Sequence, residues 1–241
     1  MKISLFVSGY PRTLFYKFSD NLKLIKNKVG ECQIDIFYSL WDDLVRYNKI
    51  NDPWHFFVES YNPPELTKNI IDEYFIECGA SKVDGEIESI ELMREIMEES
   101  PFDYQKSLSS QYYKTYKVVE KYFNLDYDFY VRIRPDIIIN DFPSKDKINE
   151  MQNKKSLLVN DYYWYNAPYK GDHVNEMVWA STKDVFYITN AMFLEQNNIE
   201  KQRGGGDGCG ERHSARYFNS LLDSNILNSI ESFNFDYRVF R

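Results

Sequence analysis

Apolar positions along this chain fall into short dense runs closed by turn residues and longer stretches with helical spacing. Ile3 to Val7 is an apolar run, interrupted only by Ser4, followed by Ser8-Gly9-Tyr10-Pro11-Arg12, which predicts a buried strand, a turn and then a helix. Ile34 to Trp41 is a second such run after a helical stretch, so strand, helix and strand predict a parallel βαβ unit. Pro63 and Pro64 then break the pattern, and the segment beyond them is too polar for a central element. Glu86 to Glu99 spaces Ile87, Ile90, Met93 and Met97 as a helix would, and Ser107 to Phe123 does the same with Leu108, Tyr112, Tyr116, Val119 and Phe123. The second of these leads straight into YDFYVRIRPDIII, Tyr127 to Ile139, which reads as a central, parallel strand with its tip at the carboxyl edge of the sheet.

Ser156 to Asn160 and Glu176 to Ser181 predict further strands. Ser181 and Asp184 form a capping-box pattern ahead of a helix carrying Val185, Ile188 and Met192. GGGDGCG, Gly204 to Gly210, reads as a loop before a helix with Ala215, Phe218 and Leu222 on one face, and FNFDYRVF, Phe233 to Phe240, alternates as a half-exposed strand does. No internal repeat interrupts this order. The expectation is an α/β fold, one domain over 1–241, with a mostly parallel central sheet flanked by helices.

Composition narrows the function more than the fold. With 241 residues, 43% of them apolar, the chain can bury a substantial core. A net charge of −8 without a basic stripe argues against nucleic acid as a partner. Cys32, Cys78 and Cys209 lack a C-x-x-C pair, which points to a reducing compartment, and a cytoplasmic location is expected. The opening residues resemble a first strand rather than a secretion signal, and no apolar run is long enough for a membrane span. The 17% aromatic share suits walls that stack on sugar or base rings; Trp41 and the cluster Tyr162, Tyr163, Trp164 and Tyr165 are candidates.

The candidate chemistry sits at two strand tips. Asp136 is placed to bind Mn²⁺ or Mg²⁺ on a diphosphate, because such ions need only one or two protein carboxylates when phosphate and water complete the shell. Arg132 and Arg134, two residues apart, would share one strand face with Asp136, Pro135 ending regular pairing there, and either orient it or contact phosphate. A structural ion pair at a strand end is the competing reading. At the other tip, Ser8, Gly9 and Arg12 either offer backbone N–H groups and a guanidinium to a nucleotide or form a plain strand-to-helix turn.

ISLFVSGYPRTL, IDIFYSLWDD, SLSSQYYKTYKVVEKYFNLDYDFYVRIRPDI and GDGCGERHSARYF together resemble the GT-A type glycosyltransferases of large DNA viruses and bacterial polysaccharide clusters. The resemblance implies a Rossmann-like GT-A domain with a nucleotide-binding half, 1–140, and an acceptor-binding half, 141–241. It further implies metal-assisted transfer of a sugar from a nucleotide-diphosphate donor to a glycan hydroxyl, with Val7, Ser8, Gly9 and Arg12 lining the nucleotide pocket. Where that family carries Asp-x-Asp, this chain has Arg134-Pro135-Asp136, so Asp136 would grip the ion alone. Asp207 and Glu211 are candidates for the catalytic base, with Asp172 a third and His213 a possible contact for acceptor or phosphate. Two other readings stand beside this one: a sugar- or nucleotide-binding module without catalysis, and a metal-dependent nuclease, which the acidic charge and the lack of a downstream Glu-x-Lys or Asp-x-Lys disfavour.

Overall fold

The computed structural model describes residues 1–42, 55–56, 64–102, 106–152, 154–163, 173–201 and 210–240. Its centre is a seven-stranded sheet in which β1 (Lys2–Gly9) lies between β2 (Gln33–Trp41) and β5 (Phe129–Ile133), parallel to both. Outside β2 runs β4 (Lys82–Glu88), also parallel. On the other side β8 (His173–Ser181) pairs antiparallel with β5 and β7 (Ser156–Tyr163), and β9 (Ser229–Ser232) closes the sheet parallel to β7. A smaller sheet joins β3 (His55–Phe56), β10 (Tyr237–Phe240) and β6 (Ile137–Ile139). The chain is therefore α/β with a mostly parallel sheet, and no described helix is long and apolar enough to cross a membrane.

Strand alternation sends the two sets of side chains to different helical layers. Ile3, Leu5 and Val7, with Ile34, Ile36, Val131 and Ile133, pack under α1 (Leu14–Lys17), α2 (Ser19–Val29), α3 (Lys68–Glu77) and α6 (Lys145–Met151) through Leu14, Leu22, Ile25, Phe75 and Ile148. On the opposite face Phe6, Phe37 and Tyr130 meet Val118, Val119 and Tyr122 of α5 (Ser107–Tyr122) and Phe186 of α7 (Lys183–Thr189). Farther along, Leu157, Val159 and Trp179 pack with Met192 and Ile199 of α8 (Met192–Lys201) and Ala215 and Phe218 of α9 (Gly210–Asp223).

Several sequence expectations need correction. Tyr127 to Ile139 is not one strand: β5 stops at Ile133, and Arg134-Pro135-Asp136 turns the chain into β6 of the small sheet, because proline cannot donate to a ladder. Ile87 belongs to β4, and helix α4 (Ile90–Glu98) starts only after Ser89 accepts a hydrogen bond from the Leu92 N–H. The capping box at Ser181 does not form; Thr182 is the N-cap, its side chain caps nothing, and Ser181 donates to the Thr182 carbonyl. Only the last half of Phe233 to Phe240 is strand.

At the sheet edge the Tyr38 ring folds over the backbone of Gly85, its register partner. A Cβ at Gly85 would stand 2.4 Å from Tyr38 Cγ and 2.5 Å from its carbonyl oxygen. Tyr38 cannot swing aside freely, since its hydroxyl donates to Asp72 of α3 at 2.8 Å. Gly85→Ala is expected to destabilise the fold by at least ~1–3 kcal/mol through overpacking, measured as a lowered urea midpoint with unchanged slope.

Candidate functional site

The carboxyl edge is built by the turn after β1 and the turn after β5. Gly9 ends β1 with φ 120°, a conformation that favours glycine, and brings the chain against Pro135, whose Cδ lies 3.9 Å from the position a Cβ would take. Three residues later Arg12 itself has φ 27°, a strained conformation for an L-residue with a side chain, which costs on the order of 1–3 kcal/mol. The strain is held by tertiary contacts. The Arg12 guanidinium lies 5.2 Å from the centroid of the Tyr10 ring, and its Nη1 donates to Asp136 Oδ2 at 2.7 Å.

Asp136 receives a second guanidinium from its own turn. Arg134 donates from Nε to Oδ1 at 3.0 Å and from Nη2 to Oδ2 at 2.6 Å, a bidentate fork. Asp136 is 2% exposed, and the side chains of Arg12 and Arg134 are nearly as buried. Burial alone would raise the carboxyl's pKa; the charges of Arg134 and Arg12 outweigh it and hold the group well below the usual carboxylate range. The backbone that follows is pinned by Asn21 of α2, fully buried, which donates to the Ile137 carbonyl at 3.0 Å and accepts from the Ile139 N–H at 2.8 Å.

Arg132 does not join this group. It points to the other face of β5, fully buried, with its guanidinium 4.4 Å from the centroid of the Trp179 ring; strand alternation fails as a guide here because Arg134 and Asp136 lie beyond the strand's end. Val7 is packed into the core, and the Ser8 hydroxyl pairs with Thr115 of α5 at 3.0 Å. Trp41 offers no face to a sugar: it is fully buried, with the Lys114 ammonium 4.1 Å from its ring centroid. His213 is buried as well, its ring 4.7 Å from Phe102.

Asp172, Trp164, Tyr165 and Asp207 lie outside the described residues, and for Tyr162, Tyr163 and Glu211 only the backbone is described, in β7 and at the start of α9. The connectivity still locates Glu211. Because β9 runs parallel to β7, and both run with β1 and β5, the helix that leads into β9 must begin at the carboxyl edge. The first turn of α9 therefore shares that edge with Arg12, Arg134 and Asp136.

No protein-family model and no curated protein matches the chain.

A divalent ion does not fit Asp136 as it is arranged. Both carboxylate oxygens already accept from guanidinium groups, and an ion approaching them would face two fixed positive charges in a buried setting. The recess beside Asp136, lined by Thr13, Tyr16, Phe18 and Pro135, has about 0 Å³ open to water. Among the described residues no group of three or more His, Cys, Asp or Glu side chains could hold a metal ion. Larger cavities lie elsewhere: one of about 560 Å³ at the amino edge, lined by Lys2, Asp128 and Lys183, and one of about 490 Å³ between α8 and α9.

Lys114 and Glu88 belong to no recognisable motif in the sequence. Lys114 lies on the buried side of α5, one turn after Ser110 and one before Val118. A lysine interrupting that inward-facing row of small and apolar residues was the available signal.

Asp136→Ala is expected to leave two buried guanidinium groups without their carboxylate and to cost about 3–5 kcal/mol of stability, read from urea unfolding near neutral pH. Because the folded-state pKa is depressed, this contribution is fully present above the unfolded carboxyl's pKa of about 3.9 and is lost as pH falls below it. The gap between wild type and Asp136→Asn should therefore close in acid.

Proposed function

We propose that the chain is a glycosyltransferase that moves a sugar from a nucleotide-diphosphate donor to a hydroxyl of a glycan acceptor. The observation that carries this reading is the strained turn of β1 meeting the Arg134-Pro135-Asp136 turn, which sets two guanidinium groups side by side at the carboxyl edge of a mostly parallel sheet. Ligands of open α/β sheets lie across that edge, which favours it over the larger cavity at the amino edge.

Breaking the bond between the sugar's anomeric carbon and the diphosphate leaves negative charge on the departing oxygen. Fixed guanidinium groups stabilise that charge without reorganising. In this reading Asp136 orients Arg12 and Arg134, and neutralisation of the diphosphate falls to those arginines; no step is assigned to a metal ion at Asp136. The acceptor hydroxyl must lose its proton as it attacks, and Glu211, at the start of α9, and Asp207, in the glycine-rich stretch of sequence before it, are the carboxylates proposed as base.

The buried ion pair also favours a second reading, a nucleotide- or sugar-binding module, since a carboxylate fully engaged with arginine is available for no other chemistry. Turnover separates the two. A panel of UDP-, GDP-, dTDP- and CMP-sugars is expected to contain one that stabilises the protein by about 2.7 kcal/mol when present at about a hundred times its dissociation constant. That sugar should be released or transferred by wild type. Arg12→Lys, which keeps the charge but loses the fork, is expected to weaken its binding about tenfold or more. Stabilisation without release, with or without Mn²⁺, would establish the binding module; no stabilisation by any member would remove both.

A further inference from the structure

The same edge holds a second buried charge that the Arg12–Asp136–Arg134 group does not use. Trp41 and Glu88 are register neighbours at the tips of β2 and β4, and α5 lays Lys114 over them. Lys114 Nζ donates to Glu88 Oε2 at 2.7 Å and stands 4.1 Å from the Trp41 ring centroid. The adjacent Tyr113 donates its hydroxyl to Glu88 Oε1 at 3.0 Å and stacks on Trp41 with 6.0 Å between ring centroids. Lys114 and Trp41 are both fully buried, and the Trp41 indole N–H has no hydrogen-bond partner among the described residues.

Stability does not account for this arrangement. Burial brings the Lys114 pKa down from 10.5 to about 8, against the upward pull of Glu88 and Glu86. A lysine whose folded pKa lies below its unfolded one destabilises the fold wherever it is protonated; the penalty is complete below about pH 8 and fades as pH rises toward 10.5. A methionine or leucine could cover Trp41 without that cost.

We propose that Lys114 is a positioning residue, its ammonium clasping Glu88, Trp41 and α5 into one unit that keeps the carboxyl edge in the shape a bound nucleotide needs. The ligand's identity as a nucleotide rests on the glycosyltransferase reading; the clasp does not. The charged groups acting on Lys114 are Glu88 and Glu86 of β4, which favour its protonation, and Lys117 of α5, which opposes it. From the elements packed nearby, α8 presents the uncharged Phe193 to Tyr113, β1 presents Ser8 to Thr115, and on α4 Glu91, Arg94, Glu95 and Glu98 are exposed. Loss of the proton removes the charge that draws Glu88 and the Trp41 ring together.

Two measurements test this, with circular dichroism confirming that each variant folds. In the ligand-free protein, tryptophan emission is expected to show a step at about pH 8 that vanishes in Trp41→Phe, in Lys114→Met and in Lys114→Arg, which stays charged throughout. Calorimetric titration with UDP, GDP and dTDP should show wild-type affinity falling about tenfold between about pH 7 and about pH 9, with Lys114→Arg unaffected by pH and Lys114→Met equally weak at both. Absence of the emission step in wild type overturns the clasp, even if no variant folds. A step with nucleotide affinity indifferent to pH overturns the positioning role. A step with no nucleotide bound at any pH upholds the clasp and sinks the nucleotide-sugar reading instead.

Discussion

The contact between Asp136 and the two guanidinium groups organises the carboxyl edge. It joins the turn after β1 to the turn after β5, two segments more than a hundred residues apart in sequence; Asp136 is buried, and the Arg12 and Arg134 side chains are 9% and 10% exposed. Such a group is seldom the most stable way to fill space, since desolvating charges offsets most of their attraction. What it supplies is geometry: with both oxygens of Asp136 engaged, Arg12 and Arg134 are held at fixed positions, and the strained backbone at Arg12 is retained.

The opposite face of the same strands repeats the theme with aromatic partners. Lys114 lies over Trp41 and Arg132 over Trp179, both cations fully buried against the helix layer that contains α5 and α9. Ring faces carry negative potential, so each tryptophan offsets part of the cation's lost hydration while remaining part of the core. Positive charge is thus fixed beneath and beside the edge where the glycosyltransferase reading puts a diphosphate. The acidic chain as a whole carries no such bias, which is why net charge was informative about excluded partners and silent about this one.

Much of the fold was legible from local pattern. Dense apolar runs, broken only by Ser4 in one and by Asp35 and Ser39 in the other, announced β1 and β2, and the spacing of Leu108, Tyr112 and Val119 announced α5, because burial on both faces or on one stripe leaves a trace in the sequence. Edge elements left a weaker one: β4 carries a glycine and acidic residues over a half-exposed surface, and its last residues, Glu86 to Glu88, fit the spacing of the helix that follows. Arg132 shows the limit most directly. Spacing of two put it on one face with Arg134, but that rule holds only while the strand continues, and Pro135 had already turned the chain toward the smaller sheet.

The sequence by itself determined the α/β class, the central place of the strand ending in Arg-Pro-Asp, and the presence of arginine, glycine and carboxylate near strand tips, since these follow from local periodicity and turn chemistry. Which of those charges meet was decided only in three dimensions. Pairing Asp136 with Arg12 depends on the register of β1 against β5, and burying Lys114 depends on how α5 crosses β2 and β4. Both are products of contacts between distant segments, and the energy of a charge is set by the neighbours and the solvent it is left with after those contacts form.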